Sequence, residues 1–352
     1  MRRLGLFFLF IGLISGLAAA SASGPEAANK INLQLNTDEA TAVLAILDKE
    51  SAKATVSDAD WQRLFTTEPY IRLKKREASI HIGFTDDDFK KFVLSSELSA
   101  KRDALRHTLD EWQKADLQAS ARRVLTYLPD QATIRAKVYP VIKPLTNSFV
   151  FETQTDPAIF LYLDPAESAA KFENTVAHEL HHIGFSSVEF MTEQRQKDLP
   201  PNVKPAVDWM GAFGEGFAML AAAGGPDVHP HAVSSLEERA RWDHDMANFN
   251  QDLATVQQFF LDIVNQKLKT KDEIDEKAFS FFGTQGPWYT VGYKMAVIVE
   301  KRYGRATLID CMIDPRELLA RYNSAATELN HTQTEPRALW SPELLAKINA
   351  SK

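Results

Sequence analysis

Cysteine is almost absent: Cys311 is the only one in 352 residues. No internal disulfide can form, so the folded chain must draw its stability from a hydrophobic core, which this length can supply. A Cys-rich zinc cluster is excluded on the same ground, and any metal ligands must be histidine or carboxylate. A basic excess is also missing. The formal net charge is −7, the opposite of what a nucleic-acid surface needs. The short clusters Lys74-Lys75-Arg76 and Arg122-Arg123 read as solvated helix faces. Past the first two dozen residues, no apolar run reaches the roughly 20 residues that cross a bilayer.

Those first residues have a different character. Arg2 and Arg3 precede an apolar run from Leu4 to Leu17, and Ala18-Ala19-Ala20-Ser21-Ala22-Ser23-Gly24 comes next with small residues. That order is the one of a secretory signal peptide, expected over residues 1–22. The run is short for a permanent span, so the chain is expected to be exported, periplasmic or secreted, with no membrane anchor once the leader is removed.

Strand signals are scarce, and helical periodicity dominates. Ala40, Val43, Leu44 and Leu47 share one face, Ser57 reads as an N-cap ahead of Trp61, Leu64 and Phe65, and helices are expected over 86–94, 97–114 and 117–128. Pro129 and Pro140 punctuate the stretch after the last of these helices. Only 148–151 and 158–163 carry β-branched or aromatic runs of strand length, and the turn chemistry between them predicts an antiparallel hairpin. The fold class is therefore α+β, predominantly helical, with one small antiparallel sheet. Residues 23–145 are read as an N-terminal helical region and 146–352 as the region that carries the chemistry.

Asp164-Pro165-Ala166-Glu167 has the pattern of a helix start, with Asp164 as N-cap, Pro165 in the first turn and Glu167 closing a capping box; Gly184 is placed to stop the helix. Within it lies His178-Glu179-Leu180-His181-His182. His178 and His182 are four apart, so one helical turn stacks both imidazoles on one face, where they can fill two corners of a zinc tetrahedron. Glu179 points to nearly the same side, one residue along, as a base for a metal-polarised water requires. His181 lies about 100° round from His182 and is expected to pack or to support rather than to bind. A catalytic zinc needs a third protein ligand and an open position. Glu215, a lone carboxylate in Gly211-Ala212-Phe213-Gly214-Glu215-Gly216-Phe217-Ala218-Met219, is the candidate, because a buried carboxylate is costly unless paired or metal-bound.

H-E-L-H-H followed by G-E-G-F-A resembles the gluzincin metallopeptidases, and most nearly bacterial groups of predicted, largely uncharacterised zinc peptidases. The likeness covers about 148–304, and the second motif is also similar to the corresponding helix of the zinc aminopeptidases. The resemblance implies a zincin-like core with two metal-bearing helices and a single Zn2+ held by His178, His182 and Glu215. It implies Glu179 as general base, a peptide or protein substrate, and a substrate strand along the edge of the small sheet, at 158–163 or 148–151. A downstream tyrosine steadies the oxyanion in many such enzymes. Tyr289 and Tyr293 share a face of the segment from Gln285 to Ala296, either as catalytic or as core aromatics, with Tyr289 slightly favoured; Gly292 between them would admit another helix. Two features depart from the family. Met219 stands where thermolysin-like enzymes carry an aspartate that orients a zinc histidine, and the amino-terminus-binding Gly-x-Met-Glu-Asn string is missing. Glu152 occupies only a roughly comparable place. Asp243 and His244 fall in a mixed-charge helical segment, and His229 and His231 in a proline-flanked loop. The rivals are a non-hydrolytic zinc-binding protein on the same fold and a zinc hydrolase of non-peptide amides.

Overall fold

The structure is a computed structural model that describes residues 30–332 and 334–350; the leader expected at 1–22 lies outside them. The chain forms two compact units. The described part of the first comprises 30–118 and 133–176, and that of the second 119–132, 177–332 and 334–350. A cut at 145/146 divides the chain once, whereas these units interleave in sequence.

The first unit holds a four-stranded mixed sheet of β1 (Ile31–Leu35), β2 (Ile134–Val141), β3 (Phe149–Phe151) and β4 (Ala158–Tyr162), in the order β1-β2-β4-β3. The expected hairpin is present: β3 and β4 pair antiparallel, with Phe149 opposite Phe160 and Phe151 opposite Ala158. The two aromatic rings stack at 4.9 Å between centroids. The sheet is nonetheless larger than the sequence suggested, because β2 pairs parallel with both β1 and β4. β1 is only five residues long and only Ile31 in it is buried, although Ile31, Leu33 and Leu35 alternate with Asn32 and Gln34 and are the signal that marks it. Pro140 lies within β2 rather than ending an element. Pairing to β1 ends at Val138, so on that side no ladder asks for the amide hydrogen that proline lacks. β4 is paired on both sides, so of the two expected edge segments only β3 is an edge.

Helices α1 (Asp38–Ser51), α2 (Asp58–Phe65), α3 (Glu68–Ser79), α4 (Asp86–Val93) and α5 (Ser96–Trp112) complete this unit. Ala40, Val43, Leu44 and Leu47 are the buried face of α1, and Ser57 caps α2, as the periodicity implied. At the end of β3, Glu152 adopts a left-handed φ of 55°, and both its oxygens are engaged, by Arg72 at 2.7 Å and by Lys75.

Glu39, on the first turn of α1, is fully buried. One oxygen accepts from the Ile142 amide at 2.9 Å and the other has no hydrogen-bond partner. Burial pushes its carboxyl up to about 8, against the smaller opposing pull of that amide and of Lys143. Between 4.5, its ordinary value, and about 8 the folded chain holds a proton that the unfolded chain has lost. Stability should therefore be fullest below the lower value and fall as pH rises through this window, by on the order of 1.4 kcal/mol per pH unit at most. Denaturant unfolding at pH 5.5 and 8 checks this: Glu39→Gln should flatten the decline, and an identical decline in both proteins contradicts it.

Helices α6 (Leu117–Leu125) and α7 (Ala169–Ser186) each run across a unit boundary. The start of α7 differs from the sequence expectation. Residues 164–167 form a turn, with the Asp164 carboxylate accepting from the Ala166 amide, and Ser168 takes the capping position with its hydroxyl accepting from the Lys171 amide at 3.2 Å. The side chain nearest the first helical amides wins the cap. Gly184 does not end the helix, which continues to Ser186.

The second unit is all helical among its described residues: α8 (Glu189–Gln196), α9 (Lys204–Met210), α10 (Gly214–Ala223), α11 (Leu236–Ala247), α12 (Phe249–Val264), α13 (Lys271–Phe279), α14 (Pro287–Tyr303), α15 (Arg305–Ile313), α16 (Pro315–Asn330) and α17 (Pro342–Ile348), with a 3-10 turn at Gly211–Phe213 before α10. Its core gathers around Trp288, fully buried near the start of α14, with Phe213 and Phe281 edge-on at 5.4 and 5.5 Å. The indole donates to the Ala278 carbonyl at 2.9 Å, so the one polar atom of this ring is satisfied.

Candidate metal centre

α7 presents two sides. Val176, Ala177, Leu180 and Ile183 are buried apolar residues that seat the helix, while His178 and His182, one turn apart, have side chains 14% and 16% exposed. Glu215 arrives on the first turn of α10, a helix that carries no other charge. His178 Nε2 lies 3.1 Å from Glu215 Oε2 and 3.1 Å from His182 Nε2, and the last edge, His182 Nε2 to Glu215 Oε2, is 3.3 Å. Ligand atoms about 2.0–2.1 Å from a tetrahedral zinc stand roughly 3.3–3.5 Å apart. Two imidazole nitrogens and one carboxylate oxygen on a triangle of that size suit zinc in both geometry and donor type. Together they are the one such group found among the described residues.

The charges reinforce the arrangement. Burial alone would raise the Glu215 carboxyl, but His182 and His178 outweigh it and hold the group well below the usual carboxylate range. Burial opposes protonation of His182, and Glu215 more than restores it, so that its pKa is raised. A carboxylate that draws a proton to His182 draws a cation equally, and the two compete. Glu179 is 3% exposed. Its carboxyl is raised by burial, with His178 and His182 pulling the other way. His181 is also buried, with the Tyr127 backbone as the one hydrogen-bonding group acting on its ring. Burial pushes its pKa well below the ordinary value, and it is not part of the metal group. His178 Nδ1 is buried with no acceptor within hydrogen-bond reach; the support that Met219 cannot give, expected from another residue, is not found at this nitrogen.

The two tyrosines separate. The Tyr289 ring lies nearly parallel to that of His178, with centroids 6.4 Å apart. Burial, followed by Glu215 and Glu179, pushes its hydroxyl well above the ordinary pKa, so it stays a donor. Tyr293, one turn further, donates to the Val228 carbonyl at 3.3 Å and meets Trp242 edge-on at 5.3 Å. It belongs to a packing cluster with the loop after α10. In that loop His229 pairs with Asp243 at 2.9 Å, and His231, tucked against Trp242, contacts Gln285 at 2.8 Å. These long-range pairings leave no mark in local sequence. Asp243 and His229 thus satisfy each other outside the metal group.

Glycine makes the α10–α14 approach possible. A Cβ on Gly216 would lie 1.9 Å from the Tyr293 amide nitrogen and 2.2 Å from the Gly292 carbonyl carbon; one on Gly292 would lie 2.6 Å from the Phe213 carbonyl oxygen. The two backbones touch, and this contact places Glu215 and Tyr289, each adjacent to or one turn from a glycine, on one side. The part played by Gly292 was legible from its setting. That of Gly216 was not singled out, although the two glycines flanking Glu215 are its signal. Gly216→Ala should destabilise the fold by about 3 kcal/mol or more, because backbone rather than a flexible side chain must move. Denaturant unfolding measures it, and a loss under about 1 kcal/mol would show that the helices can part freely.

Comparison with curated proteins and with solved structures finds no match. A family match does exist, over residues 61–331, and it encloses His178, His182 and Glu215 together with Glu179 and both tyrosines. Since that span is most of the chain, the protein whose His178, His182 and Glu215 close this triangle belongs to the family described as "Putative zinc dependent peptidase (DUF5700)".

Proposed function

We propose that the chain hydrolyses peptide bonds at this centre, with one zinc ion held by His178, His182 and Glu215. The observation that carries the reading is the convergence of three ligand atoms beside a buried carboxylate, Glu179, on the same helix turn. A zinc ion there supplies Lewis acidity, making water more acidic and a carbonyl more electrophilic. Glu179 accepts the proton of the attacking water and delivers it to the leaving amine; a carboxyl already raised by burial is suited to both halves of that transfer. The Tyr289 hydroxyl, kept protonated, donates to the developing oxyanion. A pure binding site has no use for a buried acid beside its ligands, which favours hydrolysis over a silent zinc-binding role. The basic, apolar and small-residue order of residues 1–24 supports export, to the periplasm or beyond the cell. Among the described residues no helix is long and apolar enough to cross a membrane.

Zinc-loaded protein incubated with a diverse peptide library, read by mass spectrometry, tests the activity. Cleavage that stops with chelator and returns with zinc is expected; full zinc occupancy with no product from any peptide contradicts the proposal. Tyr289→Phe should lower kcat by about 100-fold with zinc content unchanged. Loss confined to KM would assign Tyr289 to substrate binding instead.

A further inference from the structure

A row of aromatic rings leads away from the metal centre within the second unit. The His178 ring lies nearly parallel to Tyr289 at 6.4 Å, and Tyr289 meets Phe282 edge-on at 6.5 Å. Phe282 then meets Phe279 at 6.1 Å, and Phe279 meets Trp209 edge-on at 5.4 Å. Every step falls within the roughly 4.5–7 Å at which aromatic pairs attract. The turn between α13 and α14 builds the row. Gly283 takes a left-handed φ of 50°, and the Gly286 amide donates to the Phe282 carbonyl at 2.7 Å. A Cβ on Gly286 would lie 2.3 Å from the Phe281 carbonyl oxygen, so only glycine lets the chain fold back this tightly and set Phe282 beside Tyr289. The Trp209 indole is fixed as well, its N–H donating to the Asp275 carboxylate at 3.3 Å.

Trp288 backs the row: it is fully buried and lies 6.4 Å from both Phe282 and Trp209. The rings packed against it are not buried to the same degree. Phe279 is 42% exposed, and Trp209, Phe282 and Tyr289 are half-buried. A row that served only as core would hide its rings as Trp288 is hidden. Single exposed apolar side chains are ordinary, but a contiguous aromatic surface that ends at a metal ligand has the make-up of a binding site. We propose that this row is a wall of the substrate site and takes an aromatic side chain of a peptide held at the metal centre. The inference rests on the proposed peptidase reading for the identity of its ligand, and adds the class of residue the site selects. A substrate ring laid on Phe282 and Phe279 exchanges water for ring contacts that an alanine methyl cannot make.

The test measures binding without turnover, on the full chain carrying Glu179→Gln and loaded with zinc. The probes are acetylated, amidated alanine peptides with one phenylalanine at each position in turn, compared by calorimetric titration with the all-alanine peptide. At least one phenylalanine peptide should bind about tenfold more tightly or better. Phe279→Ala and Phe282→Ala, each added to Glu179→Gln, should cut that ratio to about threefold or less at unchanged zinc content, and Phe282→Tyr should retain it. Phe279 is exposed, so its variant keeps the test open should Phe282→Ala fail to fold. The preference found together with a wild type that cleaves nothing would leave the wall standing and remove only the peptidase reading. Equal affinity for all probes, no binding by any of them, or a preference that survives both variants overturns the proposal.

Discussion

Glu179→Gln should keep one zinc ion per chain and lose peptide hydrolysis by about 10²–10⁴-fold, the range ascribed to a positioned general base. The substitution preserves the shape of the side chain and removes only its capacity to take a proton. Glu179 sits beside the ligands without belonging to the ligand triangle, so metal content should not change. Stability should hold or rise, since a carboxyl that burial already disfavours in its charged form is replaced by a neutral amide. The pH profile provides a second readout: the acid limb that reports the general base should be absent from whatever activity Glu179→Gln retains. Full activity in Glu179→Gln at normal zinc occupancy would remove Glu179 from the mechanism.

Glu215→Ala should have the opposite signature: activity lost because zinc is lost. The carboxylate would supply one of the three proposed protein ligands and is the only negative charge among them. Substitutions that merely disturb the partners of a metal ligand weaken binding by about 10–100-fold, so removing a ligand should exceed about 100-fold. Glu215 is also the first of the groups that raise His182 against the opposing effect of burial. Without it the histidines face each other at 3.1 Å with no anion between them, and His182 should titrate lower. Zinc affinity by competition with a chromophoric chelator, and the His182 titration by NMR, read the two effects separately. Zinc bound as tightly by Glu215→Ala as by wild type would mean that the third ligand comes from elsewhere.

Much of the site was legible because its parts are local. His178, Glu179 and His182 lie within five residues, so helix geometry alone fixes their relation. Glu215 betrayed itself as a single charge in an apolar helix, and Gly292 by its place between aromatics. The helix boundaries were less accessible: Asp164 offers a capping pattern, yet Ser168 lies nearer the first amides and takes the cap. The sheet was half visible. A hairpin is a local pairing, whereas β1 meets β2 across about a hundred residues, and its Ile-Asn-Leu-Gln-Leu alternation runs for only five. Choosing between Tyr289 and Tyr293 was beyond local reading, because both share one helical face. The Val228 carbonyl and Trp242, brought in by the loop after α10 and by α11, are what divide them.

The most direct measurement is anomalous diffraction at the zinc edge from crystals of the zinc-loaded protein. A single strong peak within bonding reach of His178 Nε2, His182 Nε2 and a Glu215 carboxylate oxygen is expected. A peak elsewhere, or none at this triangle under saturating zinc, would contradict the central claim.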